Sequence, residues 1–213
     1  FYGFSSSIDT VSKAVSIIGT SQIRNLALST AIANSFAGLP NTLVSMENFW
    51  RHSLYCALAA RILARQAGKC DPEAMFTAGL LHDIGELVIF NRVPELAKEV
   101  LLQVLDNADS LSVHQVERQV LGYDHAQVGG ELARQWKLPS LLEECIVCHH
   151  FPGEAKRHPR EAAIVHIANV LAVMAELDTL ATEDAAPIDP QAWEVTGLDP
   201  AEVIEATVGE VRA

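Results

Sequence analysis

The chain has 213 residues, almost half of them apolar, and a formal net charge of −12 at pH 7. That length suffices for one large domain, or one domain with a small appendage, and for a full core without staples. The acidic balance argues against a nucleic-acid or anionic-membrane surface, which needs basic patches, and no run approaches the ~18 apolar residues of a membrane helix.

Taken in order, almost every segment reads as helix. Ser7-Ile8-Asp9-Thr10 opens a short helix that stops at Gly19. Ser21 caps a second, over QIRNLALSTAIANSFA, which ends near Gly38-Leu39-Pro40. A long helix runs from about Ser45 to Gly68, a fitting residue for the position after a helix. Asp71-Pro72 is an N-cap followed by proline at the first helical position. It opens EAMFTAGLLHDIGELVIF, which is apolar on nearly all sides and reads as one buried helix. Pro94 opens the next helix, to about Asn107. Ser112 with Gln115 and Asp124 with Gln127 spell two capping boxes, the first of these helices ending at Gly122. Ser140 with Glu143 reads as a third box, opening SLLEECIVCHH. REAAIVHIANVLAVMAEL is a further buried helix, and Asp199-Pro200 starts a last amphipathic one.

No segment alternates as a strand between hairpin turns, and there is no Gly-rich phosphate loop. The expected fold class is all-α and multi-helix. Helices ranging from short to ~20 residues do not make a simple up-down bundle. Residues 178–190, DTLATEDAAPIDP, are acidic and linker-like. They divide a main domain, 1–177, from a small helical piece, 191–213, expected to pack on the same domain.

Cys145-Ile146-Val147-Cys148-His149-His150 admits three readings: a covalent haem motif, a zinc site, or packing cysteines beside a histidine pair that belongs elsewhere. Haem attachment implies export, and no secretory leader is visible. Structural zinc wants a second, tightly spaced ligand pair, which Cys56 and Cys70 do not supply. Four scattered cysteines form no disulfide framework and read as reduced thiols in the cytoplasm. Cys145 and Cys148 recur with Leu141 and Leu142 at helical spacing, as core residues do. No haem is expected.

The strongest signal is GLLHDIGEL. His82 and Asp83 stand among Leu80, Leu81, Ile84, Leu87 and Val88. A buried carboxylate costs several kcal/mol unless it is paired or binds a metal. Gly79 and Gly85 thin the helix on either side, so another backbone or a ligand can approach. A hydrogen-bonded His-Asp pair that merely orients helices would also fit. The other histidines bear on the choice: His52 lies mid-helix among apolar neighbours, His125 in a first turn, His149 and His150 at a helix end. His114, His158 and His166 occupy unremarkable places. Five imidazoles and one carboxylate suit a divalent metal such as Fe, Zn or Mn.

The order His52, His82-Asp83, His125, His149-His150 resembles the HD superfamily of metal-dependent phosphohydrolases, and within it the HD-related output domain, HDOD. FYGFSSSIDTVSKAVSIIGTSQIRNLAL, FWRHSLYCALAARILA, AGLLHDIGELVI, LGYDHAQVGGELARQWKLPSLLEECIVCHHFP and AAIVHIANVLA match its successive blocks over about residues 1 to 175. The family has more helices before this point, so Phe1 looks like an interior position. The resemblance implies a metal held by His52, His82, Asp83, His125, His149 and His150, with Asp83 the catalytic carboxylate if the chain is active. It also implies a regulatory output module of bacterial signalling, joined to a receiver or other signalling domain or to a protein partner.

The chain departs from hydrolytic HD proteins, including the HD-GYP cyclic di-GMP phosphodiesterases, at three positions. Asn169 stands where the resemblance expects a late Asp ligand, Glu86 where it expects a phosphate-holding Lys, and Asn48 where Glu often lies. The GYP motif is absent from HHFPGEAKRHP. These changes favour an output module without hydrolase activity. The alternatives are a metal-dependent phosphohydrolase acting on a nucleotide or phosphoester, and a purely structural HD fold.

Overall fold

The computed structural model describes residues 44–106, 111–181 and 185–213, with scattered positions between Thr20 and Ile32. The backbone divides into two compact units, Phe1–Ala37 and Gly38–Ala213. In the first, the described positions are helical; the helix read over Ser7 to Gly19 and the cap at Ser21 lie outside the described residues. In the second, the described residues form ten α-helices and one 3-10 turn, with no strand.

Helix α1, Met46–Ala67, starts where Ser45 Oγ accepts the Asn48 N–H and stops at Gly68, whose φ of 68° only glycine adopts without strain. Beside Phe49, Ile62 and Leu63, its buried face carries a run of small residues, Ser53, Cys56, Ala57, Ala60 and Ala64, where neighbours come close. It packs on α2, Pro72–Leu81, and on the long α8, Pro159–Leu177. A Cβ on Gly79 of α2 would stand 2.8 Å from Ala57 Cα. Helix α8 is buried around Ile164, Ile167 and Leu171 and forms the centre of the unit.

The segment read as one helix from Pro72 onwards is two. The chain turns at His82-Asp83, where Asp83 adopts φ −98° and ψ 13°, and resumes as α3, Ile84–Arg92. Packing imposes the break. Gly85 lies flush against α6, His125–Gln135: a Cβ there would strike the His125 carbonyl oxygen and stand 2.7 Å from Gly129 N. Helix α2 thus takes its direction from α1, and α3 from α6. The residues on both sides of the turn are equally apolar, so the local pattern carries no stop signal.

Helix α4, Pro94–Asp106, leads to α5, Val113–Leu121, and both capping boxes, Ser112 with Gln115 and Asp124 with Gln127, are formed. The third is not. Helix α7, Ser140–Cys148, has Pro139 at its N-cap. The Ser140 hydroxyl lies 3.1 Å from His158 Nε2 and Glu143 faces Arg134 and Arg157, so both side chains are drawn off the helix start by tertiary partners. The 3-10 turn, Pro152–Glu154, follows. Glu144 anchors the loop into α8 by accepting the backbone N–H groups of Lys156, Arg157 and His158. Helices α9, Pro190–Thr196, and α10, Pro200–Arg212, pack on α8, and α10 also reaches α1. Among the described residues no helix is long and apolar enough to cross a membrane.

Candidate metal centre

Four elements deliver the singled-out residues to one point. His52 comes from the middle of α1, His82 and Asp83 from the α2–α3 turn, His125 from the first turn of α6, and His149 and His150 from the end of α7. The Asp83 carboxylate sits among them. Its Oδ2 lies 2.9 Å from His82 Nε2 and 3.6 Å from His52 Nε2; its Oδ1 lies 3.3 Å from His149 Nε2 and 3.4 Å from His125 Nε2. His150 Nε2 is 2.8 Å from His125 Nε2. Among the described residues three groups have ligand atoms all within 4.8 Å of one another: His52, His82 and Asp83; His125, His149 and His150; and Glu86, Glu117 and His125.

Hydrogen bonds decide which way the lone pairs point. His82 Nδ1 donates to Gly79 O and His149 Nδ1 to Ile146 O, both at 2.7 Å. A carbonyl only accepts, so Nδ1 carries a proton in each ring, and in the neutral, metal-binding form each Nε2 keeps a lone pair. His82 Nε2, His149 Nε2 and Asp83 Oδ1 are buried without a hydrogen-bond partner. Lone pairs facing a carboxylate repel one another unless a proton or a metal cation stands between them. Imidazole with carboxylate is a donor set for Fe, Zn or Mn, and these residues fit a divalent metal.

Without a metal, protons on the imidazoles answer the Asp83 charge. Burial opposes ionisation of Asp83, but His82, then the nearby His125 and His149 imidazoles, hold its carboxyl well below the usual range. Burial also opposes charge on His82 and His125, but Asp83, joined by Cys56 at His82 and by Glu117 at His125, outweighs it and raises both well above ordinary histidine. Burial, against the pull of Asp83, brings His149 down to about 4, and burial with neighbouring imidazoles lowers His150. A neutral imidazole is the form that binds metal. Burial, then Asp83, pushes Glu86 up to about 7, so near neutrality it carries only part of a charge.

The three departures fall differently. Asn169 Oδ1 lies 3.0 Å from His52 Nε2. Glu86 has an oxygen within 4.8 Å of Glu117 and His125. Asn48 is exposed in the first turn of α1. Cys145 and Cys148 are buried free thiols outside the clusters of the described residues, and burial pushes Cys148 up to about 11.

Four residues escaped sequence reasoning. Glu117, 2% exposed, bonds to His125, and Glu176 to His52. His166 Nδ1 donates to His149 O at 2.8 Å while its Nε2 accepts the Asp189 N–H at 3.0 Å. His114 stacks on His150, ring centroids 4.0 Å apart. A signal existed for the first: Glu117 falls four residues after Val113, on the apolar face of α5. His166 gave the same sign as His52, an imidazole among apolar neighbours. Glu176 is seven residues from Asn169, on one face of α8.

The HDOD domain family matches residues 1–152. Three solved structures share the fold. A provisional phosphohydrolase from Shewanella amazonensis SB2B is 25% identical, with a TM-score of 0.75 over 97% of this chain and 78% of that one. An HDOD domain protein of unknown function from Geobacter sulfurreducens is 27% identical, with a TM-score of 0.74 over 99% of this chain and 75% of that one. A provisional signal transduction protein from Marinobacter aquaeolei VT8 is 22% identical, with a TM-score of 0.77 over 99% of this chain and 46% of that one; at that identity the likeness shows the fold alone. The chain spans less than a third of the length of the curated relatives it matches.

Proposed function

The chain belongs to the HDOD domain family, and on that premise we propose that it is an output module of signal transduction. It carries a divalent metal on its HD centre and passes an upstream state, through its helical surface, to a protein partner or to a linked receiver or other signalling domain. Residues 1–177 form the HDOD-like domain, 178–190 a linker and 191–213 an appended helical piece. His52, His82, Asp83, His125, His149 and His150 hold the metal, which would supply Lewis acidity and an activated water. Fold alone does not separate output from catalysis; charge does.

The carrying observation is what surrounds the ligand cradle. Phosphoester hydrolysis needs positive groups where negative charge develops. Beside these ligands stand the carboxyls of Glu86, Glu117 and Glu176. Arg51 and Arg118, the arginines nearest these groups in sequence, already face carboxylates: Glu176 at 3.7 Å and Asp124 at 2.6 Å. The centre suits a cation and opposes an anionic substrate. One ion held there draws the side chains of α1, α6, α7 and the α2–α3 turn to a single point, so its binding couples four elements.

A second reading, a metal-dependent phosphohydrolase acting on a nucleotide or phosphoester, is supported by the neutral His149 and by the 25% identity to the Shewanella protein. Metal content of the purified chain, followed by turnover of cyclic dinucleotides, nucleotides and phosphomonoesters with Mn, Fe or Mg, separates the two. The output reading expects bound metal and no turnover above an Asp83→Ala control, with Glu86→Lys plus Asn169→Asp recovering weak turnover. Robust hydrolysis by the unmodified chain would put the phosphohydrolase first.

A further inference from the structure

The four imidazoles that face Asp83 are not anchored alike. His82 and His149 give their Nδ1 protons to backbone carbonyls three residues earlier in the chain, Gly79 and Ile146. His52 and His125 turn Nδ1 to carboxylates from other elements. Glu176 Oε2 of α8 lies 3.1 Å from His52 Nδ1, and Glu117 Oε2 of α5 lies 2.6 Å from His125 Nδ1. Each Asp83 oxygen faces one histidine of each kind: Oδ2 faces His82 and His52, and Oδ1 faces His149 and His125. Unrelated parts of the chain thus build the same arrangement twice.

We propose that Glu117 and Glu176 are positioning residues for the bound metal, one behind each half of the centre. The inference rests on the metal reading above. A carboxylate behind a ligand imidazole fixes the proton on Nδ1, aims Nε2 and raises its basicity. It also adds negative charge against the dication without occupying a coordination position.

The two carboxylates are not equal. Glu117 is buried, and its Oε2 accepts both the His125 ring and the His125 backbone N–H, at 2.6 and 2.8 Å. Ring and backbone are therefore held by one oxygen. The Glu176 side chain is 21% exposed and its other oxygen faces Arg51 at 3.7 Å, so part of its charge is already answered. Glu117 dominates the pair. A purely structural account of Glu117 exists: a carboxylate at the first turn of α6 satisfies a free N–H and meets the positive end of the helix dipole. The two accounts differ in what happens to metal affinity when charge alone is removed.

The test uses the full chain, stripped of metal and titrated with Zn2+ against a chelating indicator. Glu117→Gln keeps an oxygen that accepts both bonds and removes the charge. Glu176→Gln does the same for the other half, on a less buried residue whose replacement leaves the fold intact. Glu205→Gln, exposed on α10, is the control. Glu117→Gln should weaken binding by ~10–100-fold, Glu176→Gln by less, and Glu205→Gln not at all. The absorption bands of bound Co2+ should shift in the first two, a change that loss of a helix cap does not produce. Tight binding by the natural chain with unchanged affinity and spectra in Glu117→Gln and Glu176→Gln would overturn the inference while leaving the metal reading standing. Absence of binding by the natural chain would overturn the metal reading and this inference with it.

Discussion

Replacing Gly85 with alanine tests the contact that sets the geometry of the centre. In the middle of a helix, Gly→Ala ordinarily stabilises by about 1 kcal/mol, because glycine loses more backbone entropy on folding. At Gly85 the new Cβ would strike the His125 carbonyl oxygen and stand 2.7 Å from Gly129 N, against 3.4 Å for ordinary contact. Both partners are backbone and cannot swing away, so α3 and α6 must separate by at least about 0.7 Å. Overpacking of this kind costs about 1–3 kcal/mol and occasionally more. Because both clashing partners are backbone, the upper half of that range applies, about 2–3 kcal/mol; less the entropy gain, the net loss is about 1–2 kcal/mol, or roughly 2–8 °C in Tm for a chain of this size. Because His125 lies at the contact, with Nε2 3.4 Å from Asp83 Oδ1, metal affinity should fall as well. Gly209→Ala supplies the opposite sign: that glycine is exposed on α10, and its Cβ would meet nothing within 4 Å. It should gain about 0.5–1 kcal/mol. Urea denaturation of both variants and the natural chain, metal-free, measures the differences. A Gly85→Ala protein as stable as the natural one, or equal losses in both variants, would refute the reasoning.

Two further outcomes are expected. Substituting Cys145 and Cys148 together with alanine should cost about 1–3 kcal/mol, as buried side chains are trimmed, and leave metal content unchanged; loss of metal, read by plasma emission, would return the thiols to the ligand set. Burial raises Glu144, but the N–H groups of Lys156, Arg157 and His158 outweigh it and hold its pKa below the ordinary 4.5. A carboxyl lowered by folding contributes stability that is full above its ordinary value and is lost as pH falls through the folded one. Glu144→Gln should therefore destabilise the chain at pH 7 and progressively less below pH 4.5; a difference in urea midpoints that does not shrink at low pH would refute this account.

What the sequence determined was mostly local. Asp71-Pro72 and Asp199-Pro200 state where helices begin, and Gly68 and Gly122 where they end, because capping needs only a side-chain oxygen or a left-handed residue in the right place. The all-α class follows from such signals repeated along the chain. The motif His82-Asp83 also announced itself, since a carboxylate amid leucines demands a partner.

The rest was decided by contacts between residues far apart in the chain. The turn at Asp83 exists because Gly85 seats on the backbone of α6 while Gly79 seats on α1, and neither neighbour is adjacent in sequence. Ser140 leaves its cap for His158 for the same reason. Glu117 and Glu176 gain meaning only when α5 and α8 bring them to His125 and His52, 8 and 124 residues away along the chain. Sequence fixes which side chains can ionise, cap or bind. Which imidazole nitrogen keeps its lone pair depends on what stands behind the ring, and only packing puts it there.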